Sequence, residues 1–265
     1  MNLLTFSQDN PLLFTQSLFW VFFAVVLMFY SPLRNKLRAR HFYLLVVSFL
    51  FYYLSSGLFV FLLFVTTVLT YGFGRLLFRL KSTKARKTSL VFGIVVNLFF
   101  LCYFKYAYFI IDIINGCFGA SLQVVNVPAL FANGTFGTSF SVDKIVLPVG
   151  ISFYTFQAIS YLADIYRRKI AKQPSFVDFA FYLSFFPQLV AGPIVRAEDF
   201  LPQLDKPYSL SKAEFSWSVF FILKGLIKKI VISDYISINF VDRVFDMPLM
   251  YSSFEILMAV YGYTL

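Results

Sequence analysis

Long apolar runs alternate with short basic segments along this chain. The first run, Leu12–Tyr30, holds 19 residues without a charge, which is about 28 Å of α-helix and close to the roughly 30 Å hydrocarbon core of a bilayer. Two further runs, Phe42–Gly74 and Ile145–Tyr166, also begin or end beside basic residues. The pattern predicts an all-α fold: a polytopic helical membrane protein, not a soluble domain.

The second run does not describe a set of uniform spanning helices. Phe42–Gly74 begins and ends at basic clusters, so both ends are expected on the same side of the membrane. The tripeptide Ser55-Ser56-Gly57 is the natural place for the chain to turn. The first arm, Phe42–Leu54, would then be only about 20 Å long as a helix. We therefore expect short or re-entrant helices here.

The run Phe176–Val195 carries residues that break a helix. Pro187 removes a backbone donor and clashes with the preceding turn, and Gly192-Pro193 follows a few residues later. In lipid, broken backbone is tolerated only against protein or a water-filled cavity. This segment is therefore expected to line an interior cleft, although a simple proline kink in a structural helix is the alternative.

The C-terminal part is predicted to contain a helix at the membrane surface. After a polar link, Arg196–Lys212, the segment Ala213–Phe240 carries Lys224 and Lys228 one turn apart on the same face. Such lysines suit contact with anionic membrane lipid. Contact with a phosphate-bearing acyl donor is the alternative.

Composition and charge support the membrane interpretation. Apolar residues make up 59% of the chain and charged residues 14%, against about 25% in ordinary soluble domains. The formal net charge of +10 is placed in short loops, which predicts a cytoplasmic location for those loops and an extracytoplasmic N-terminus. No single basic face is apparent, so a nucleic-acid partner is not predicted. The basic clusters are residues 34–40, 75–87 and 167–172.

Cysteine and histidine are too scarce for several kinds of site. Two cysteines do not form a disulfide framework. The only histidine, His41, lies at a predicted cytoplasmic boundary and is expected to be a solvated edge residue. No grouping has the spacing of metal ligands, so we predict no metal site. We also expect no bound cofactor. Residues 116–141, rich in Gly, Asn and Ser, are expected to form an external loop.

Two long sequence blocks carry a family resemblance. The first reads LPVGISFYTFQ over residues 147–157 and continues to DIYR at 164–167; the second reads FFPQLVAGPIVR over residues 185–196. Together with YFKY at 103–106 and KGLIKK at 224–229, they resemble the membrane-bound O-acyltransferase family. Within it, the resemblance is to the bacterial branch of the alginate O-acetyltransferase membrane subunit and the teichoic-acid D-alanyl transfer protein.

The resemblance implies an activity and an architecture. An acyl group would pass from a cytoplasmic thioester, acetyl-coenzyme A or an acyl carrier, to a hydroxyl of an extracytoplasmic polysaccharide or carrier. It also implies the bacterial inner membrane, a periplasmic acetyltransferase partner, and a ring of helices around a thinned centre with a buried catalytic histidine. A histidine suits this role because it can accept the hydroxyl proton near neutral pH.

The sequence departs from the family at the catalytic histidine. The family histidines lie in a later region, and His41 matches no such position. Residues 1–265 are therefore expected to be the N-terminal portion of one acyltransferase-type transmembrane domain, truncated before the catalytic region and inactive alone. No catalytic residue is assigned. The candidate substrate-binding residues, chosen because intramembrane polar groups usually face the interior, are Gln157, Asp164, Gln188 and Arg196. Structural hydrogen bonds are the alternative role for each.

Two other classes of function also fit the pattern. A transporter or channel would equally use broken helices around a central cleft. The sequence offers no convincing internal repeat and no intramembrane acidic pair for ion coupling. A non-catalytic subunit that scaffolds other assembly proteins is the third possibility. Donor-dependent labelling of an acceptor polymer separates the acyltransferase from both.

Overall fold

The computed structural model describes Leu12 and residues 14–136, 141–190, 192–207 and 209–264. All regular elements within these residues are helical, which confirms the predicted fold class. The N-terminal residues up to Pro11, with their expected location outside the cytoplasm, and Ala191 of the second block lie outside the described residues. The helices are α1 (Ser17–Leu33), α2 (Leu37–Ser56), α3 (Val60–Arg79), α4 (Thr83–Leu101), α5 (Ala107–Phe118), α6 (Val127–Phe136), α7 (Ile151–Tyr166), α8 (Phe176–Ser184), α9 (Phe186–Leu189), α10 (Ala197–Leu204), α11 (Lys212–Ile227), α12 (Asp234–Ile236), α13 (Asp242–Asp246) and α14 (Ser253–Tyr263).

The chain divides into two compact units. In the described part, the first unit contains Leu12 and Phe22–Lys206, and the second contains residues 14–21 and Pro207 onward. The first unit therefore holds α2 to α10 and all four candidate residues.

The chain reverses direction between α2 and α3, at the predicted turn. Gly57 has a φ of 61°, which favours glycine, and begins a 3₁₀ turn over Gly57–Phe59. The rings of Phe49 and Phe64, on either side, lie 6.4 Å apart, as expected for helices that fold back on each other. However, α2 has 20 residues, or about 30 Å, because Leu37–His41 join the helix. The 20 Å expected for this arm was too short.

Two stretches of the described chain are long and apolar enough to cross a membrane: Leu37–Arg79, which contains the reversal, and Thr83–Phe118. The second stretch joins α4 to α5 through a π-helical turn at Cys102–Tyr106. Isolated π turns inside helices are often found at functional sites. This turn coincides with the YFKY motif.

The predicted external loop contains a helix, so its description as a loop was partly wrong. Helix α6 begins at Val127, where the backbone N–H donates to the Tyr103 hydroxyl at 2.8 Å. The same hydroxyl donates to the Val125 carbonyl at 3.2 Å. Tyr103 thus supplies hydrogen bonds to the start of α6 that no local sequence pattern indicated.

Helix α7 packs against α3 and α4 through glycine. A Cβ at Gly74 would lie 2.8 Å from the Tyr161 ring, and one at Gly93 would lie 2.8 Å from Leu162. Small residues let helices approach closely where lipid gives no hydrophobic driving force between them. Tyr161 and Leu162 are consequently fully buried, and α7 forms the centre of the first unit.

Both ends of α7 contact cationic side chains of the α4–α5 stretch. At the C-terminal end, Arg86 Nη2 donates to the carbonyls of Ile165 at 3.1 Å and Tyr166 at 3.0 Å. At the N-terminal end, Lys105 Nζ lies 3.4 Å from Ser152 Oγ. The cation at the C-terminus satisfies carbonyls that have no helical partner.

The predicted broken segment is broken in the structure. Helix α8 ends at Ser184, Phe185 has φ −53° and ψ 105°, and the short α9 follows with Pro187 in its first turn. The polar link that follows is partly helical, since it contains α10. The two sequence blocks meet here, because Gly150 lies directly against the backbone of Leu189.

The second unit is built on helices with strong N-terminal caps. Ser211 and Glu214 form a capping box at α11, and Ser252 and Glu255 form one at α14. Between them the backbone passes through π turns at Lys228–Ser233 and Ser237–Val241. The last two lysines of the KGLIKK segment, residues 224–229, therefore lie in a π turn. Its position at the membrane surface stays a prediction.

Substitution of Gly150 by Ala should destabilise the first unit. Gly150 has a φ of 72°, and a Cβ would lie 2.3 Å from the Leu189 carbonyl oxygen. Strain of this kind costs about 1–3 kcal/mol before any clash is counted. We expect a lower melting temperature of the detergent-solubilised chain for Gly150→Ala. Gly116→Ala, where a Cβ meets nothing within 4 Å, is the control and should not lower it.

Candidate functional site

Two of the four candidate residues converge on one backbone carbonyl. Gln157 Nε2, from α7, donates to the Tyr182 carbonyl at 3.1 Å, and Gln188 Nε2, from α9, donates to the same oxygen at 3.4 Å. Both side chains are buried. We refer to Gln157 and Gln188 as the amide pair.

The break after α8 explains why this carbonyl needs side-chain donors. In an uninterrupted helix, Tyr182 O would accept from the backbone N–H four residues later. The turn at Phe185 ends that pattern. An unsatisfied buried carbonyl costs about 1–3 kcal/mol, and more in an apolar layer. The amide pair supplies the missing hydrogen bonds and so stabilises the break.

The other two candidates lie near the C-terminal end of α7, in a group of charged side chains. Glu198 Oε1 is 2.8 Å from Lys169 Nζ and 3.4 Å from Arg196 Nη1. Arg196 immediately precedes α10 and Glu198 lies in its first turn. The hydrogen bond from Lys169, followed by that from Arg196, lowers the pKa of the Glu198 carboxyl. We refer to Asp164, Lys169, Arg196 and Glu198 as the charged cluster.

Asp164 is the buried member of this cluster. Only 3% of its surface is exposed, and among the described residues its Oδ2 has no hydrogen-bond partner. Its charge interacts with those of Glu198, Lys169 and Arg196. Its backbone carbonyl accepts from the Lys169 N–H at 2.9 Å, which holds the turn after α7. A buried carboxylate oxygen without a hydrogen-bond partner costs free energy in the folded protein.

The structure thus brings the four candidates together in two pairs, not as one site. Gln157 and Asp164 lie on the same buried side of α7, seven residues or about 10 Å apart. The amide pair meets α8 and α9, whereas Asp164 and Arg196 meet the start of α10. A tyrosine connects the two regions, since the Tyr182 hydroxyl donates to the Val195 carbonyl at 2.9 Å.

Sequence reasoning missed several residues of this region. Lys169 was assigned only to a basic loop, and Glu198 was regarded as part of a mixed-charge link. Their contact joins positions 29 residues apart, and no spacing rule predicts it. One signal in the sequence was available for Glu198. It lies two positions after Arg196, the last residue of the second block, and so is close enough to form an ion pair with it.

The charged cluster is suited to binding an anionic group. Arg196 is half-exposed and presents a planar guanidinium, which pairs well with phosphate or carboxylate. The cluster contains no Ser, Cys or His nucleophile with an adjacent base. Within the part of the chain that the structure describes, no three His, Cys, Asp or Glu side chains are placed to hold a metal ion.

Comparison with known proteins identifies relatives. Residues 166–264 match the sequence profile of MBOAT, the membrane-bound O-acyltransferase family. The chain is 34% identical to the probable alginate O-acetylase AlgI of Pseudomonas aeruginosa over 200 residues, which is 74% of this chain and 35% of that protein. It is 35% identical to the probable alginate O-acetylase AlgI of Azotobacter vinelandii over 203 residues, covering 74% and 37%.

A relative named for a different polymer is also similar. The peptidoglycan O-acetyltransferase of Helicobacter pylori is 26% identical over 260 residues, 88% of this chain and 45% of that protein. The chain therefore spans between a third and a half of the length of these relatives. No solved structure matches the chain.

The two amides should compensate for each other. In Gln157→Leu or Gln188→Leu, the Tyr182 carbonyl keeps one donor, so each variant should lose only about 1 kcal/mol of unfolding free energy. The double variant leaves the carbonyl without either donor and should lose more than the sum. Unfolding in detergent measures the three values. Gln203→Leu, an exposed amide that also donates to a backbone carbonyl, is the control and should change stability by less than about 0.5 kcal/mol. Strict additivity would contradict the shared role.

The Glu198 ion pairs should make stability depend on pH. Because its pKa is lowered from the ordinary 4.5, Glu198 contributes stability above that pH and loses it as the pH falls through the folded-state value. Glu198→Gln should therefore melt at a lower temperature than the wild type at neutral pH, and the difference should shrink in acid. Asp199→Asn, which removes a neighbouring charge, is the control. A difference that is constant with pH would exclude the ion pairs as its cause.

Proposed function

Because the chain is related to the membrane-bound O-acyltransferase family, we propose that it takes part in O-acetylation of an extracytoplasmic polysaccharide or cell-wall polymer. The observation that carries the proposal is the similarity to alginate O-acetylases and to a peptidoglycan O-acetyltransferase, together with the family match over residues 166–264. Alginate and peptidoglycan are the acceptors named for those relatives. For this chain we propose only the shared class, a polysaccharide hydroxyl.

The protein is a membrane protein, and we propose the bacterial inner membrane as its location. The basic clusters would face the cytoplasm and the N-terminus would lie outside it, following the positive-inside rule. Apolar side chains exposed along the Thr83–Phe118 stretch would then contact membrane lipid. This orientation places the charged cluster, which follows α7 in a basic loop, toward the cytoplasmic side.

We propose an acyl thioester, acetyl-coenzyme A or an acyl carrier, as the donor, with no bound cofactor. The hydroxyl oxygen of the acceptor would attack the thioester carbonyl, the C–S bond would break, and the proton would pass from the hydroxyl to the departing thiol. We assign that proton transfer to no residue of this chain. We also propose a periplasmic acetyltransferase as the partner on the acceptor side.

Within this scheme, the four candidate residues take two roles. Arg196 and Asp164 would contact the substrate, because one presents cationic donors and the other an open carboxylate oxygen. Gln157 and Gln188 would hold the wall of the substrate path by stabilising the break after α8. The family match continues from α8 through α14, which supports assigning both units to a single acyltransferase-type domain.

Transfer of a labelled acetyl group tests the proposal. Inverted membrane vesicles from cells that express the protein and make the acceptor polymer would receive radiolabelled acetyl-coenzyme A. We expect protein-dependent label in the polymer. Vesicles that take up labelled solute without labelling any polymer would favour a transporter instead. Absence of both would leave the scaffold class.

The contribution of Arg196 can be measured in the same assay. Losing one charge-assisted hydrogen bond of about 1.5–3 kcal/mol should lower transfer by Arg196→Gln about tenfold or more. Arg167→Gln removes an exposed charge next to the same cluster without removing a hydrogen bond of the described structure, and should retain transfer. Equal loss in both variants would indicate a general effect of local charge, not a substrate contact.

A further inference from the structure

Two basic side chains at the start of α2 are buried side by side. Arg40 and His41 are each only 6% exposed. The expectation that His41 is a solvated edge residue was therefore wrong. The physical reason is that α8 packs on α2, and the end of α10 covers the first turn of α2. Residues far away in the sequence therefore bury both side chains.

Both side chains bind the C-terminal end of α10. His41 Nε2 lies 3.0 Å from the Leu204 carbonyl, and Arg40 Nη2 donates to that carbonyl and, at 3.2 Å, to the carbonyl of Lys206. The Leu204 carbonyl ends α10 and has no partner within that helix, whereas the Lys206 carbonyl lies two residues beyond it. Cations near a helix C-terminus also interact favourably with its dipole. α10 is thereby fixed to α2 across more than 160 residues of sequence.

The other ring nitrogen of His41 faces an acid. His41 Nδ1 is 2.7 Å from Asp178 Oδ1, in the first turn of α8. The second oxygen of Asp178 accepts from the Ser175 hydroxyl at 2.6 Å. Asp178 is therefore held in place by its own helix cap and presents a fixed acceptor to His41.

The proton count follows from these acceptors. Nε2 faces a carbonyl oxygen, which can only accept, and Nδ1 faces a carboxylate that also accepts. Both hydrogen bonds exist together only when each ring nitrogen carries a proton. Neutral His41 can donate to one of the two acceptors but not to both.

We propose that Arg40, His41 and Asp178 form a protonation-dependent clamp that positions α10 and, through it, Arg196. The positioning role rests on the proposed function, whereas the clamp itself does not. α10 has eight residues, about 12 Å, with the clamp at one end and Arg196 and Glu198 at the other. Its Phe200 ring packs between those of Tyr182 at 5.5 Å and Phe185 at 5.3 Å, so the helix is held on one face and at both ends.

Solvent can reach the clamp. A cavity of about 580 Å³ is lined by both His41 and Asp178, so protons can exchange with water. The charged groups that face this region come from three helices and the residues next to them. They are Arg38 and Arg40 of α2, Lys172 before α8, Asp178 of α8, and Asp205 and Lys206 after α10. Among the side-chain types present here, histidine is the one whose charge ordinarily changes between about pH 5 and pH 8.

Amide hydrogen exchange in the purified chain tests the clamp without requiring activity. Exchange of residues 197–206 would be measured at several pH values between about 5.5 and 8.5 and corrected for intrinsic rates. Loss of one hydrogen bond of about 1 kcal/mol should lower protection of α10 about fivefold as the pH rises. Protection of α7 serves as the internal reference and should not change with pH.

Variants assign the effect to His41. His41→Gln should show low protection of α10 at every pH, because an amide does not titrate. Arg40→Gln should also lower protection but should keep the pH dependence, because His41 is intact. Lys36→Gln, which removes an exposed charge one helical turn before Arg40 and outside the cavity lining, is the matched control and should behave as the wild type. Wild-type protection that does not vary with pH, or a pH dependence that survives His41→Gln, would overturn the proposal.

Acetyl transfer across the same pH range separates the clamp from the proposed function. If both hold, transfer should fall with α10 protection, and His41→Gln should remove that part of the pH profile. If protection varies with pH but no polymer is labelled, the clamp stands and the proposed function fails. If labelling occurs with a pH profile unaffected by His41→Gln, the positioning role fails and the proposed function stands.

Discussion

Backbone carbonyls at the ends of helices determine which side chains join the helices of the first unit to one another. Where such a helix end is covered by other elements, protein groups must supply the donors that water would otherwise provide. Three helix ends share one solution: Arg86 binds the end of α7, the amide pair binds the end of α8, and Arg40 with His41 binds the end of α10. In each case the donor belongs to a helix other than the one whose end it caps. The same hydrogen bonds therefore cap a helix and hold two helices together.

This requirement accounts for the structural role of two of the four candidate residues and not for the other two. Gln157 and Gln188 have a hydrogen-bonding role in the resting fold, and their presence requires no substrate. Asp164 differs, because its buried Oδ2 has no hydrogen bond among the described residues while cations lie close by. A carboxylate in such a position is costly to the fold alone. All four candidates are polar residues in or next to apolar runs of the sequence. Their hydrogen bonding in the structure differs.

The features that could be predicted from sequence are those set by local chain chemistry. Ser55-Ser56-Gly57 marks a turn because glycine adopts backbone angles that other residues avoid. Pro187 marks a break because proline fixes its own φ and lacks a backbone donor. The burial of His41 and the contact of Lys169 with Glu198 could not be predicted, because their partners lie 137 and 29 residues away. The start of α2 was missed for a related reason. Basic residues were assigned to a loop on charge, although arginine and lysine are good helix formers.

The contacts at the two ends of α7 have a consequence for the membrane itself. Arg86 and Lys105 belong to one helical stretch and are 19 residues, or about 28 Å, apart along it. α7, which lies between them, has 16 residues and is only about 24 Å long. With a charged group opposite each of its ends, α7 cannot be drawn deeper into hydrocarbon without burying a cation. The α4–α5 stretch carries both cations and exposes most of its apolar surface, so lipid that contacts this stretch would have to match the spacing of the two cations, slightly below the roughly 30 Å hydrocarbon core of an ordinary bilayer.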